Sequence, residues 1–149
     1  MNGPTPETQT YLAHLSRDHQ HLRQELLRVA STLERLQDSE QLALAADQLA
    51  GLLDFLRRHF ADEEEAGALV ESRDYCPAVS AEVGRILAEH AELLRLLDRT
   101  VAQLRSHATL SAEYLEKIRR DFAQFCQRME DHELAEKAVV ARAFGAVPD

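Results

Sequence analysis

His19 is followed 40 residues later by His59, with Glu63 one helical turn beyond; His90 is followed 42 residues later by His132, with Glu136 one turn beyond. Each half of the chain therefore reads His…His-x-x-x-Glu. All six residues stand where a repeating apolar pattern calls for a hydrophobic side chain. Any fold of this chain has to take them inside and satisfy them there, and that restricts the architecture more than local propensity does.

Four segments carry the 3-4 apolar spacing of bundle helices. The first follows Pro4 and Pro6 and runs to about Gln37, with a seam of Leu12, Leu15, His19, Leu22, Leu26, Val29, Leu33 and Leu36. The second begins after Asp38 and Ser39, residues suited to capping open N–H groups, with Leu42, Ala45, Leu49, Leu52, Leu56, His59 and Glu63 on its seam. The third starts after the break Asp74-Tyr75-Cys76-Pro77 and presents Val83, Ile86, Leu87, His90, Leu93, Leu97, Val101 and Leu104. The fourth starts near Thr109–Ser111 and presents Leu115, Ile118, Phe122, Phe125, Met129, His132, Glu136 and Val139, with a frayed tail expected after Phe144. A chain of 149 residues, 5% aromatic and without Trp, with five Gly and four Pro, offers few turn signals for a β fold. The expectation is a single domain over residues 1–149, an all-α, antiparallel, up-down-up-down four-helix bundle.

Short connections make consecutive helices antiparallel neighbours. The midpoint between His19 and His59 falls on Ser39, at the first turn, and that between His90 and His132 on Ser111, at the third. Each pair therefore meets at one height. Glu63 and Glu136 lie one turn further on, and the six converge in a layer toward the end that holds the second connection. The parallel between Asp18-His19 and Glu89-His90 extends the likeness of the two halves and reads as a duplicated helical hairpin.

An unpartnered buried polar group costs about 1–3 kcal/mol, and a domain is stable by only about 5–15 kcal/mol. A layer of six such groups must therefore be satisfied. A hydrogen-bonded His–Glu network is one solution, but four histidines exceed what two carboxylates can readily pair. Cations solve the problem better: neutral imidazole gives a lone pair, carboxylate gives charge, and a Glu one turn from a His can reach between two ions. Two His per ion and two shared Glu supply four ligands to each. The metal candidates are therefore His19, His59, Glu63, His90, His132 and Glu136. A mixed imidazole and carboxylate set suits iron first, then manganese or zinc.

The other candidates have plainer readings. His14 and His21 point away from the seam, and His107 falls where it can face the last carbonyls of the third helix. Glu64 and Glu65 lack the four-residue relation to His59 and are expected to face solvent or sit behind a ligand. Tyr11 and Tyr75 fall near the metal end, with packing as their default role. Leu12, Leu15, Leu56 and Leu93 are candidates to keep water away from the site.

A net charge of −9 disfavours nucleic acid. No basic amphipathic stretch suggests a membrane surface, and Asp47 and Asp54 interrupt the best apolar run. The segment MNGPTPETQT has neither the basic nor the apolar part of a secretory leader. Two cysteines, Cys76 and Cys126, make no C-x-x-C pair and are expected to pack as free thiols, so a reducing, cytoplasmic compartment is the simplest expectation.

With these residues in view, the chain resembles the hemerythrin-like, or HHE cation-binding, family from about Tyr11 to Ala141, through His19, His59-x-x-x-Glu63, His90 and His132-x-x-x-Glu136. The resemblance implies a non-haem di-iron centre, oxo- or hydroxo-bridged, with four terminal imidazoles and two bridging carboxylates. Reversible oxygen carriers of this kind have a further histidine where this chain has Leu94, and an aspartate where it has Lys137. The pattern is closer to the bacterial four-His, two-Glu relatives, some of which are linked to nitrosative stress and iron–sulfur repair. Repair proteins usually carry an additional N-terminal cysteine-bearing domain, so a full repair protein is not expected here.

Three functions follow as expectations. The first is a di-iron protein that binds O2 or NO at an open position, for sensing, buffering or iron and stress handling. The second is a redox enzyme consuming peroxide or NO at the same centre. The third is an interaction module holding zinc or no metal. The protein partner and electron donor are not legible in the sequence.

Overall fold

The computed structural model describes residues 6–106 and 111–145, apart from the side chains of residues 7–16 and 39. Four long helices, α1 (Pro6–Glu34), α2 (Ser39–Ala66), α4 (Ser80–Ser106) and α5 (Ala112–Phe144), form the expected all-α bundle, and a short helix α3 (Ala68–Tyr75) lies between α2 and α4. Each long helix packs on two others: α1 on α2 and α5, α4 on α2 and α5. The helices thus form a square in the order α1, α2, α4, α5.

The helix ends follow the side chains available to close them. Asp38 caps α2, its carboxylate accepting the Gln41 N–H at 2.9 Å. Ser111 does the same for α5, accepting the Tyr114 N–H at 3.1 Å. Such a cap contributes about 1 kcal/mol. α1 stops at Glu34, three residues short of the expected Gln37, and has no basic residue in its last turn. Arg119 of α5 supplies the missing cation, donating to the carbonyls of Leu33 at 2.9 Å and Glu34 at 3.0 Å. Gly145 ends α5 at φ 68°, a left-handed conformation that glycine adopts without a steric penalty.

The second connection departs from expectation. The sequence reads as a break before Pro77, but the chain folds α3 there, followed by a 3-10 turn over Pro77–Val79. Gly67 separates α2 from α3 in an extended conformation. Ala68, Leu69 and Ser72 are buried, so α3 crosses the bundle end as a lid. Its apolar positions are too few to show a helical period.

The core is in two parts. One apolar cluster runs from Leu22, Leu56 and Phe60 through Leu93 and Met129 to the far end. A smaller one, under α3, gathers Leu69, Val79, Val83, Ile86, Val139 and Phe144. Between the two lies a buried polar layer. Leu56 and Leu93 are fully buried beside it as expected, while Leu12 and Leu15 lie outside the described side chains.

Candidate metal centre

All six seam residues meet in that layer. His19, His59, Glu63, His90, His132 and Glu136 are each 7% exposed or less. α1 contributes His19, α2 His59 and Glu63, α4 His90, and α5 His132 and Glu136. The 3-4 spacing that buries the leucines turns these side chains inward, and the matched distances from the helix turns set them at one height.

The four Nε2 atoms face two carboxylates. His59 Nε2 lies 3.1 Å and His90 Nε2 3.7 Å from Glu63 Oε1. His132 Nε2 lies 2.8 Å from Glu136 Oε1, and His19 Nε2 3.2 Å from Glu136 Oε2. Glu63, His90, His132 and Glu136 each offer one donor atom, all within 4.8 Å of one another. Proximity here is not hydrogen bonding. Glu63 Oε1, His90 Nε2, His132 Nε2 and both Glu136 oxygens are buried with no hydrogen-bond partner among the described residues. Orphaned lone pairs directed at one another are what a shared cation satisfies.

Electrostatics without metal tell the same story. Burial pushes Glu63 up to about 8, helped by the facing Glu136 and opposed by the adjacent His59 imidazole. Burial would push Glu136 up too, but contacts from His132, His19 and Glu63 outweigh it and hold Glu136 well below the usual carboxylate range. The metal-free layer thus keeps one carboxyl protonated against one carboxylate. Burial would lower His59, yet the Glu63 contact and the charges of Glu63, Glu136 and Asp18 raise it to about 9. His132 is likewise raised against burial by Glu136, whereas burial and the neighbouring His132 lower His90. Glu63 also lies within an acidic run, Asp62 to Glu65, at the end of α2, whose last turn has no basic residue. Acids at a helix C-terminus oppose its dipole. A local rule broken at the centre of the layer fits a bound cation.

The donor set, its burial and its orphaned atoms fit metal cations. Zinc, manganese and iron all accept imidazole and carboxylate.

Sequence reasoning missed several neighbours of the layer. Phe60 stacks on His90, and Asp18, Glu89 and Glu133 approach the Nδ1 atoms of His59, His132 and His19. Glu64 lies 3.1 Å from His90 Nδ1, behind the imidazole, and Glu65 is exposed. The signal for Phe60, Asp18, Glu89 and Glu133 was adjacency: each is the next residue to a seam residue, as Glu64 is.

The remaining candidates keep their plainer roles. His21 is exposed and meets Phe55 edge-on at 5.0 Å. Tyr75 packs on Phe144, ring centroids 4.9 Å apart. Cys76 and Cys126 are free and half-buried, and burial pushes the Cys126 thiol up to about 11, which disfavours its thiolate form. Tyr11, His14 and His107 lie outside the described side chains. A groove of about 490 Å³ between α1 and α5, lined by Arg23, Leu26, Ala30, Phe122 and Cys126, meets the layer only at Glu133. No helix among the described residues is long and apolar enough to cross a membrane.

Comparison with known proteins agrees with this geometry. The family model described as Hemerythrin HHE cation binding domain matches residues 10–142. No curated protein and no solved structure gives a significant match.

Proposed function

The chain belongs to the hemerythrin HHE cation-binding domain family, and from that membership and the buried layer we propose that it is a non-haem di-iron protein that binds O2 or NO. One observation carries this reading: four Nε2 atoms and two carboxylates are directed into one buried layer, where His90 Nε2, His132 Nε2, Glu63 Oε1 and both Glu136 oxygens have no hydrogen-bond partner among the described residues. His19 and His59 would hold one ion and His90 and His132 the other, with Glu63 and Glu136 serving both. Bound iron supplies ferrous–ferric redox chemistry and a coordination position open to a diatomic ligand.

The protein's own part is to hold the donors and exclude water. The apolar clusters on either side of the layer, with Leu56, Phe60 and Leu93 against it and α3 across the bundle end, keep the surroundings dry. Such walls would limit the access of solvent to ions held by the six residues. Such a protein senses or buffers O2 or NO, or takes part in iron and stress handling.

Elemental analysis and visible spectroscopy of protein from iron-supplemented cells test the reading. Two irons per chain and a paired-iron absorption that changes on adding O2 or NO are expected. Trace iron only, even after anaerobic reconstitution with ferrous iron, would overturn it. Sustained consumption of peroxide or NO would make the protein an enzyme at the same centre.

A further inference from the structure

We propose that Asp18, Glu64, Glu89 and Glu133 form an outer ring of positioning carboxylates that holds each imidazole with Nδ1 protonated and Nε2 free for metal. This rests on the metal reading above, and the experiment below separates the two.

The ring runs once around the bundle. Asp18 of α1 lies 3.1 Å from His59 Nδ1 on α2. Glu64 of α2 lies 3.1 Å from His90 Nδ1 on α4. Glu89 of α4 lies 3.7 Å from His132 Nδ1 on α5, and Glu133 of α5 lies 3.9 Å from His19 Nδ1 on α1. Each long helix turns its donors inward and passes one carboxylate sideways to the next helix. The geometry follows from helical pitch. A residue adjacent to a seam position lies about 100° round the helix, which directs it at the neighbouring helix and not at the bundle axis.

A neutral imidazole has one N–H and one lone pair. Metal binding requires the lone pair on the inward nitrogen, so the proton belongs on Nδ1. A carboxylate there fixes that tautomer, sets the ring's orientation and makes Nε2 a stronger donor. Two of the four contacts are already within hydrogen-bond reach. The other two end on His132 Nδ1 and His19 Nδ1, both buried and without a hydrogen-bond partner among the described residues; a movement of under about 1 Å brings each carboxylate into range. Negative charge on this ring also favours the more highly charged state of a metal inside it.

Full-length Asp18→Ala and Glu64→Ala, with Asp18→Asn and Glu64→Gln as charge-only changes, test the ring. Asp18 and Glu64 side chains are 48% and 51% exposed, so these variants are expected to fold. Glu65→Gln is the control, an exposed acid beside Glu64. The readouts are zinc and ferrous affinity by chelator competition, the imidazole Nδ1–H resonances of the zinc-loaded protein, and the midpoint potential of the iron-loaded protein. Each alanine variant is expected to lose about 10- to 100-fold in affinity and to lose the Nδ1–H signal of its own partner, His59 or His90. The amide variants keep that signal, regain most of the affinity and shift the potential upward; Glu65→Gln changes none of the three. Wild-type binding with alanine variants that bind as tightly and keep both signals overturns the ring alone. So does a Glu65→Gln potential shift equal to that of the amide variants. A wild-type chain that takes up neither ion overturns the metal reading and the ring with it.

Discussion

Phe60 lies flat against His90, ring centroids 3.9 Å apart and planes within 3°. The same ring meets His132 edge-on at 5.7 Å and leans on His59 at 5.9 Å. One aromatic side chain, 2% exposed, therefore touches three of the four histidines. Phe60→Leu keeps the site apolar but removes the flat surface that sets the plane of His90. The metal-free protein should lose about 1–2 kcal/mol, measured by urea unfolding, and ferrous affinity should fall with it. Undiminished affinity would mean that Phe60 only fills space.

Gly67 is held to glycine by proximity. A Cβ there would sit 3.0 Å from the Cα of Glu63 and 3.3 Å from its carbonyl oxygen. The backbone that would have to move is the turn that carries a proposed bridging carboxylate. Gly67→Ala should destabilise the fold by about 1–3 kcal/mol and weaken metal uptake. Gly51→Ala, in the middle of α2 with nothing within 4 Å of the added carbon, should instead stabilise by about 0.5–1 kcal/mol. Equal thermal shifts in the two variants would refute the close approach.

The bundle and the six-residue layer were legible because both follow from period and distance. A seam at 3-4 spacing defines a helix face, and equal distances from a turn define a height. Asp38 and Ser111 were legible as caps for the same local reason. The short helix α3 was not, since Leu69 and Ser72 gain their burial from the bundle end they cover. Phe60 and Glu133 escaped because they break the likeness of the halves. Both directly follow the second histidine of their half, yet one packs on His90 and the other approaches His19 with charge. A pattern read as two copies hides what differs between them.

The metal-free protein should lose stability as the medium turns alkaline. His59 stands at about 9 against an ordinary 6.5, and His132 is raised in the same direction. Their contribution is complete below about pH 6.5 and is lost as pH rises through their folded values. Glu63, raised to about 8, adds to the loss, because the folded state keeps a proton that the unfolded chain has released. His90, lowered, acts in the opposite sense but only below pH 6.5. Between pH 6.5 and 9 the decline should be on the order of 2–4 kcal/mol. Metal affinity should move the other way, since the imidazoles must give up protons to bind. Thermal melts at pH 6.5, 7.5 and 9, with and without zinc, check both trends. Metal-free stability that rises across this range would contradict the charge assignment.

The two carboxylates should differ when each is replaced by its amide. Glu63 is protonated near neutrality in the metal-free layer, so Glu63→Gln substitutes one neutral group for another of nearly the same shape. Its unfolding free energy at pH 7 should stay within about 1 kcal/mol of the wild type, and the alkaline decline should flatten. Glu136 is the anion, 0% exposed, with His132 and His19 at 2.8 and 3.2 Å. Glu136→Gln leaves buried imidazolium without its counter-charge and should destabilise by about 3–5 kcal/mol. With metal the difference disappears, because each proposed bridge needs a carboxylate. Both variants should fail to form the paired-iron absorption of the wild type. Denaturant unfolding of the metal-free proteins and iron stoichiometry after ferrous reconstitution measure the two halves of this prediction. Equal destabilisation would show that the proton is not held on Glu63, and two irons per chain in either variant would remove that glutamate from the bridge.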